Sequence, residues 1–67
     1  MTDTKKLKDK IRDKGLKYSY VASRLGLTPF GFQKKVENDT EFKASEIKKL
    51  YELLDLSEKE RTEIFFA

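Results

Sequence analysis

Apolar side chains recur three or four positions apart along this chain, and no segment alternates apolar and polar residues as a strand does. The first amphipathic segment, Thr4–Lys14, is followed by Gly15, a common stop signal at helix ends. The second segment, Lys17–Leu25, is followed by Gly26. The apolar positions of these two segments are Leu7 and Ile11, then Val21, Ala22 and Leu25. Their spacing predicts two short helices with narrow buried faces.

The third segment opens with a strong helix-start signal. Thr28 is a favourable N-cap residue, and Pro29 suits the first position of a helix because its missing N–H is not needed there. Phe32 and Val36 follow four positions apart on one helical face. A third helix is therefore predicted to run to about Glu37.

The second half of the chain predicts two more helices. A polar turn at 38–40 precedes Phe42, which we expect to anchor the chain to the core. The motif Ser57-Glu58-Lys59-Glu60 has the form of a capping box ahead of the last helix. The apolar positions of these helices are Ile47, Leu50, Tyr51, Leu53 and Leu54, then Ile64, Phe65 and Phe66. We therefore predict an all-α fold, a compact five-helix bundle that forms one domain over residues 1–67.

The junction between the second and third segments is the most informative part of the sequence. Two short helices are joined there by a turn of about three residues that contains Gly26. Ala22 is small enough to let the two helices approach closely, Gly26 tolerates a positive φ, and Leu27 can turn into the core. This is the pattern of a helix-turn-helix, which we predict over about residues 18–37.

Charge is distributed unevenly along the chain. The 67 residues hold 15 Lys and Arg against 12 Asp and Glu, a net charge of +3. Residues 1–36 hold ten basic and three acidic side chains, a net charge of +7, whereas residues 37–67 hold five basic and nine acidic ones, a net charge of −4. A basic first half indicates contact with a polyanion, and solvated helix faces explain the same counts equally well.

Composition argues against catalysis and against export. The chain has no histidine and no cysteine, so it lacks the commonest general base, the commonest transition-metal ligand and any disulfide. No apolar run approaches the ~20 residues of a membrane span, and the N-terminal residues do not form a secretory signal. We therefore expect a cytoplasmic protein that is not an enzyme, with no cofactor, no metal, no membrane contact and no small-molecule substrate.

The sequence resembles the lambda-repressor/Cro-type helix-turn-helix family, and within it the small phage and prophage regulators of Gram-positive bacteria. The resemblance covers nearly the whole chain. It is carried by Leu7-Lys8-Asp9-Lys10-Ile11 with Gly15, by Val21-Ala22, Leu25-Gly26-Leu27-Thr28 and Phe32, by Glu41-Phe42 and Ser45-Glu46-Ile47, and by Leu54-Asp55-Leu56-Ser57 and Ile64-Phe65-Phe66. It implies a transcriptional regulator in a bacterial host cell that controls a lytic/lysogenic switch by binding double-stranded operator DNA. Most members read two-fold sites as dimers, which makes a homodimer one of the assemblies to consider.

The resemblance also assigns roles to individual residues. The candidates for contact with DNA or a partner are Tyr18, Thr28, Pro29, Phe30, Gln33, Lys34 and Glu37. Among these, Gln33 can pair with adenine, Lys34 with guanine, and Phe30 can press on a thymine methyl group. Tyr18 falls near the start of the second helix, where its hydroxyl can reach a phosphate. The candidates for further phosphate contacts are Lys14, Lys17 and Lys35.

The outward face of the third helix is predicted to consist of Phe30, Gln33, Lys34 and Glu37, opposite the buried Phe32 and Val36. This face departs from the family pattern in ways that support a second hypothesis. Pro29 and Phe30 are more apolar than phosphate binding requires, and Glu37 is repelled by DNA. Exposed aromatic residues beside one or two charges are typical of protein interfaces. In the second hypothesis, the chain uses this face to grip another protein, as the similar phage antirepressors do when they bind and inactivate a phage repressor by masking its DNA-binding domain. Two plainer interpretations stay open: Phe30 enters the core if the third helix is rotated, and Tyr18 and Tyr20 only cover the rim of the core.

The apolar tail Ile64-Phe65-Phe66 has two interpretations as well. It forms a contact between two copies of the chain, or it packs back on the first helix. The sequence does not choose between them, because both remove the three side chains from water.

Overall fold

Five α-helices and the turns between them make up residues 1–66, the part of the chain that this computed structural model describes. The helices are α1 Thr4–Asp13, α2 Tyr18–Arg24, α3 Pro29–Val36, α4 Ala44–Leu54 and α5 Glu58–Phe65. No strand occurs in this range, so the predicted all-α, five-helix fold is confirmed. None of the helices within residues 1–66 is long and apolar enough to cross a membrane.

The capping signals act at the helix ends where the sequence predicts them. Thr28 precedes Pro29, and its Oγ1 accepts the backbone N–H of Gly31 at 3.0 Å. The Ser57 hydroxyl accepts the Glu60 N–H at 3.2 Å, and the Glu60 carboxylate accepts the Ser57 N–H at 2.9 Å. Both signals satisfy backbone donors that have no partner inside a helix. The starts of α3 and α5 are therefore encoded locally.

The turn between α2 and α3 has the geometry that its sequence pattern predicts. Gly26 lies in the left-handed region with φ +74°, where a side chain would be strained. The Leu27 N–H then donates to the Ala22 carbonyl at 2.9 Å, and the Leu27 side chain packs against the core. Ala22 is fully buried. Its small side chain suits the close contact between α2 and α3.

A chain of aromatic contacts runs through the core and fixes the orientation of α3. Phe32 of α3 is fully buried, and its ring meets the rings of Tyr18 at 5.5 Å and Phe42 at 6.0 Å, edge to face. Phe42 in turn meets Phe65 at 5.9 Å, so it anchors its loop to the core as predicted. The larger aliphatic residues that are fully buried in the same core are Leu7, Ile11, Val21, Val36, Leu50 and Leu54. Edge-to-face packing and burial together hold α3 in one rotation about its axis.

The apolar tail packs mainly back on the molecule. The Asp3 N–H, just before α1, donates to the Ile64 carbonyl of α5 at 2.6 Å. Ile64 and Phe65 are buried, whereas Phe66 is 66% exposed. Of the two interpretations of the tail, packing on the rest of the domain therefore describes Ile64 and Phe65, and Phe66 remains at the surface.

Candidate functional site

The outward side of α3, with the two residues at its start, forms the surface that we call the α3 face. It consists of Thr28, Pro29, Phe30, Gln33, Lys34 and Glu37. Five of these residues are exposed and Lys34 is half-buried. The opposite side of the helix carries Phe32 and Val36, both fully buried. Because the buried side is packed into the core, the α3 face is presented to solvent by a helix that cannot easily rotate.

Phe30 is the most exposed aromatic residue in residues 1–66, with 70% of its surface accessible. The Lys34 ammonium lies 5.5 Å from the centre of the Phe30 ring, a cation–π contact one helical turn away. The interpretation that Phe30 enters the core is therefore wrong. Its ring and the Lys34 ammonium form one amphipathic patch on the α3 face.

Tyr18 and Tyr20 lie at different depths although they are two positions apart. Tyr18 is half-buried and packs edge to face on Phe32, so it covers the rim of the core. This burial raises the pKa of the Tyr18 phenol, and the nearby charge of Lys8 acts in the opposite direction. Tyr20 is 48% exposed. The core-rim interpretation therefore holds for Tyr18 and not for Tyr20.

Glu37 ends α3 and has a cationic partner that the sequence does not reveal. The Lys8 ammonium of α1 donates a hydrogen bond to its carboxylate at 2.8 Å, across 29 residues of sequence. This hydrogen bond and the Glu37 charge raise the pKa of Lys8. Glu37 lies at the C-terminal end of the helix, where the helix dipole disfavours an anion. Lys8 offsets that repulsion.

The structure argues against the predicted phosphate contact of Lys35, because its ammonium is already held by a buried carboxylate. The Lys35 side chain is only 12% exposed, and its Nζ lies 2.6 Å from Glu46 Oε1. Glu46, itself 8% exposed at the side chain, also accepts the Lys43 N–H at 2.8 Å. Burial alone raises the pKa of Glu46, but the bonds from Lys35 and Lys43 outweigh it and lower that pKa. This pair joins α3 to the start of α4.

Ion pairs divide the ten basic residues of 1–36 into two groups. Four of them pair with acids of the second half: Lys6 with Glu63, Lys8 with Glu37, Lys10 with Glu60 and Lys35 with Glu46. Two more, Lys5 and Arg12, pair with aspartates of α1. Of the ten, the basic residues that enter no ion pair formed among residues 1–66 are Lys14, Lys17, Arg24 and Lys34.

Three of these four unpaired residues are ones that the sequence singles out. Lys14 caps the C-terminus of α1 and Lys17 precedes α2, so both flank one exposed turn. Lys34 stands on the α3 face. Arg24, in the last turn of α2, is an exposed cation that the sequence pattern did not single out, since its only signal is its position next to the turn at Gly26.

The α3 face combines three kinds of contact chemistry. Gln33 offers an amide that both donates and accepts hydrogen bonds, Lys34 offers only donors, and Phe30 offers apolar surface. Such a combination can read base edges in a groove or anchor a protein partner.

Among known proteins, no family model, no curated protein and no solved structure matches this chain.

Proposed function

We propose that this chain is a small helix-turn-helix regulator that binds double-stranded operator DNA with its α3 face. In this proposal α3 lies in the major groove, with Gln33 and Lys34 toward base edges. The resemblance of the sequence to phage and prophage regulators supports a role in a lytic/lysogenic switch. No catalytic step and no cofactor is part of the proposal.

The observation that carries this proposal is the set of basic residues in the first half of the chain that have no acidic partner within residues 1–66. After internal ion pairs are accounted for, Lys14, Lys17, Arg24 and Lys34 are what residues 1–36 retain of their positive charge for a partner. All four belong to α2, α3 or the turn that precedes α2, or flank them directly. Unpaired cations beside an exposed, firmly packed helix suit a polyanion whose phosphates flank a groove.

The exposure of Phe30 supports a second candidate function. A phenylalanine that is 70% exposed, beside a lysine that stacks on it, is the composition of a protein-interface anchor. In this alternative the chain is an antirepressor that uses the α3 face to bind and inactivate a phage repressor. Glu37 then faces basic residues of the repressor instead of phosphates.

A selection experiment distinguishes the two functions. The purified chain is incubated with a mixed pool of duplex DNA at two salt concentrations, and in parallel with a phage repressor in a pull-down. DNA binding predicts enrichment of one sequence and a log–log salt slope of about −3 if three phosphates are neutralised. Capture of the repressor with no enrichment of DNA at either salt concentration contradicts DNA binding and supports the antirepressor.

A further inference from the structure

The Lys8–Glu37 ion pair lies on the border of the α3 face and is open to solvent. The two side chains are 45% and 42% exposed, and their charged atoms are 2.8 Å apart. Lys8 belongs to α1 and Glu37 ends α3, and Tyr18, the first residue of α2, packs its ring on Phe32 of α3. The pair therefore joins α1 to the end of the α3 face, which is proposed to face DNA.

An exposed ion pair of this kind is weak enough for another anion to compete with it. Water screens both charges, and holding two long side chains together costs conformational entropy. The Lys35–Glu46 pair differs in this respect, because its side chains are 12% and 8% exposed and separation would leave a buried carboxylate with one partner fewer. Lys8 can leave Glu37 at little cost, since both groups are then hydrated.

We propose that Lys8 is a masked phosphate contact, held by Glu37 in the unbound protein and transferred to a DNA phosphate on binding. Glu37 is the internal competitor: its carboxylate occupies the ammonium that the phosphate needs and also repels the DNA backbone. The inference rests on the proposed DNA-binding function and adds a binding residue that the sequence did not suggest.

The chain contains a matched control for this pair. Lys6 of α1 pairs with Glu63 of α5 at 3.7 Å, with side-chain exposures of 51% and 41%. Glu37→Gln and Glu63→Gln therefore remove the same charge from pairs of similar exposure that share α1. They differ in that only Glu37 lies on the α3 face. A general effect of net charge acts on both variants alike.

The experiment measures binding of the selected DNA duplex over a series of salt concentrations for the wild type and five variants. These are Glu37→Gln, Lys8→Gln, the double variant, Glu63→Gln and Lys6→Gln. We expect Glu37→Gln to bind about two- to fivefold more tightly than Glu63→Gln, because no ion pair has to open before Lys8 reaches the phosphate. We expect the log–log salt slope of Lys8→Gln to be shallower than that of the wild type by about 0.9, the equivalent of one lost phosphate contact, whereas Lys6→Gln keeps the wild-type slope. In the Lys8→Gln background we expect the gain from Glu37→Gln to shrink, because no lysine is left to release.

Two results overturn the inference while leaving the proposed function intact. One is an equal gain for Glu37→Gln and Glu63→Gln; the other is a full gain from Glu37→Gln in the Lys8→Gln background. If no DNA sequence is enriched by the wild type, the proposed function fails. The salt concentration that elutes each variant from immobilised heparin, which is also a polyanion, then tests separately whether Lys8 is a masked anion contact. Later elution of Glu37→Gln than of Glu63→Gln that disappears in the Lys8→Gln background supports a masked anion contact at Lys8. Identical elution, or a difference that persists in the Lys8→Gln background, refutes it.

Discussion

The basic residues of α1 and those around α2 and α3 carry the same charge but have different neighbours. Lysines of α1 reach acids that lie far along the chain, as Lys10 does with Glu60 at 2.6 Å and Lys6 with Glu63 at 3.7 Å. Lys17 and Lys34 enter no such pair within residues 1–66. A local excess of basic residues in a sequence is thus the sum of two sets: cations that pair with acids inside the domain and cations that remain available to a partner.

The same contrast exists within α3, where neighbouring residues of one type have opposite environments. Phe32 is fully buried and Phe30 is 70% exposed. Lys35 is in a buried pair and Lys34 stacks on an exposed ring. Each pair of residues therefore provides a substitution and its control on a single helix.

The largest effect is expected from Phe32→Ala. Removing this ring leaves a cavity beside Tyr18 and Phe42, and such truncations cost about 3–5 kcal/mol of unfolding free energy. Urea unfolding followed by circular dichroism measures the loss. Phe30→Ala is the control, and we expect it to stay within about 0.5 kcal/mol of the wild type. Equal losses for the two variants would mean that α3 is rotated from the orientation described above.

Substitutions on the α3 face are expected to weaken binding without unfolding the chain. If the partner is DNA, Gln33→Ala and Lys34→Ala each cost about 1–3 kcal/mol of operator binding, and Phe30→Ala costs less. If the partner is a repressor, Phe30→Ala costs about 2 kcal/mol or more, with a shallow salt dependence. Titration of each variant against both partners separates the cases.

Lys6→Ala serves as the control for these binding measurements, because it removes a lysine from the contact between α1 and α5 instead of the α3 face. If Phe30, Gln33 and Lys34 could each be replaced with no effect on either partner, the α3 face would not be the binding surface.

A smaller loss of stability is expected from Lys35→Met. Methionine keeps much of the aliphatic packing but leaves the buried Glu46 carboxylate with only the Lys43 N–H as a partner. Loss of a hydrogen bond to a buried group costs about 1–3 kcal/mol. The matched variant Lys34→Met is expected to unfold at nearly the wild-type urea concentration. The distinction between paired and unpaired lysines fails if the two variants are equally stable.

The smallest effect is a pH dependence that originates in Glu60. Its hydrogen bond from Lys10 and a second one from the Ser57 N–H lower the pKa of Glu60 from 4.5 to about 2. A carboxyl group whose pKa is lower in the folded state stabilises the fold above its unfolded pKa and loses that contribution as protons bind. We therefore expect stability to fall as the pH is lowered from about 4.5 toward 2.

Thermal unfolding across this pH range tests the assignment to Glu60. Glu60→Gln keeps an amide oxygen that can accept the Ser57 N–H but loses the charge that pairs with Lys10, so its stability should change less between pH 4.5 and 2. Glu58→Gln, a change in the same helix at an exposed residue, should retain the wild-type pH dependence. A Glu60→Gln profile that follows the wild type would assign the acid sensitivity to other carboxyl groups.

The fold followed closely from local patterns in the sequence. The first three helices end within one residue of their predicted bounds, and the caps at Thr28 and Ser57 form as expected. Helical spacing predicts Phe30 on the side opposite Phe32 and Val36, and the structure excluded the rotated helix that the sequence had left open. The prediction for Lys35 was wrong because its position at the edge of the buried stripe does not tell whether an acid of another helix lies beside it.

The sequence by itself therefore determined the helices, their ends and the composition of the α3 face. These features depend on residues within one or two turns of each other, where spacing and capping act directly. The tertiary structure decided which charges cancel: Lys8 meets Glu37 across 29 residues and Lys10 meets Glu60 across 50. Such pairs exist only after the helices have packed, because packing sets which lysine of one helix faces which carboxylate of another. The charge that remains for a partner is thus a property of the folded domain.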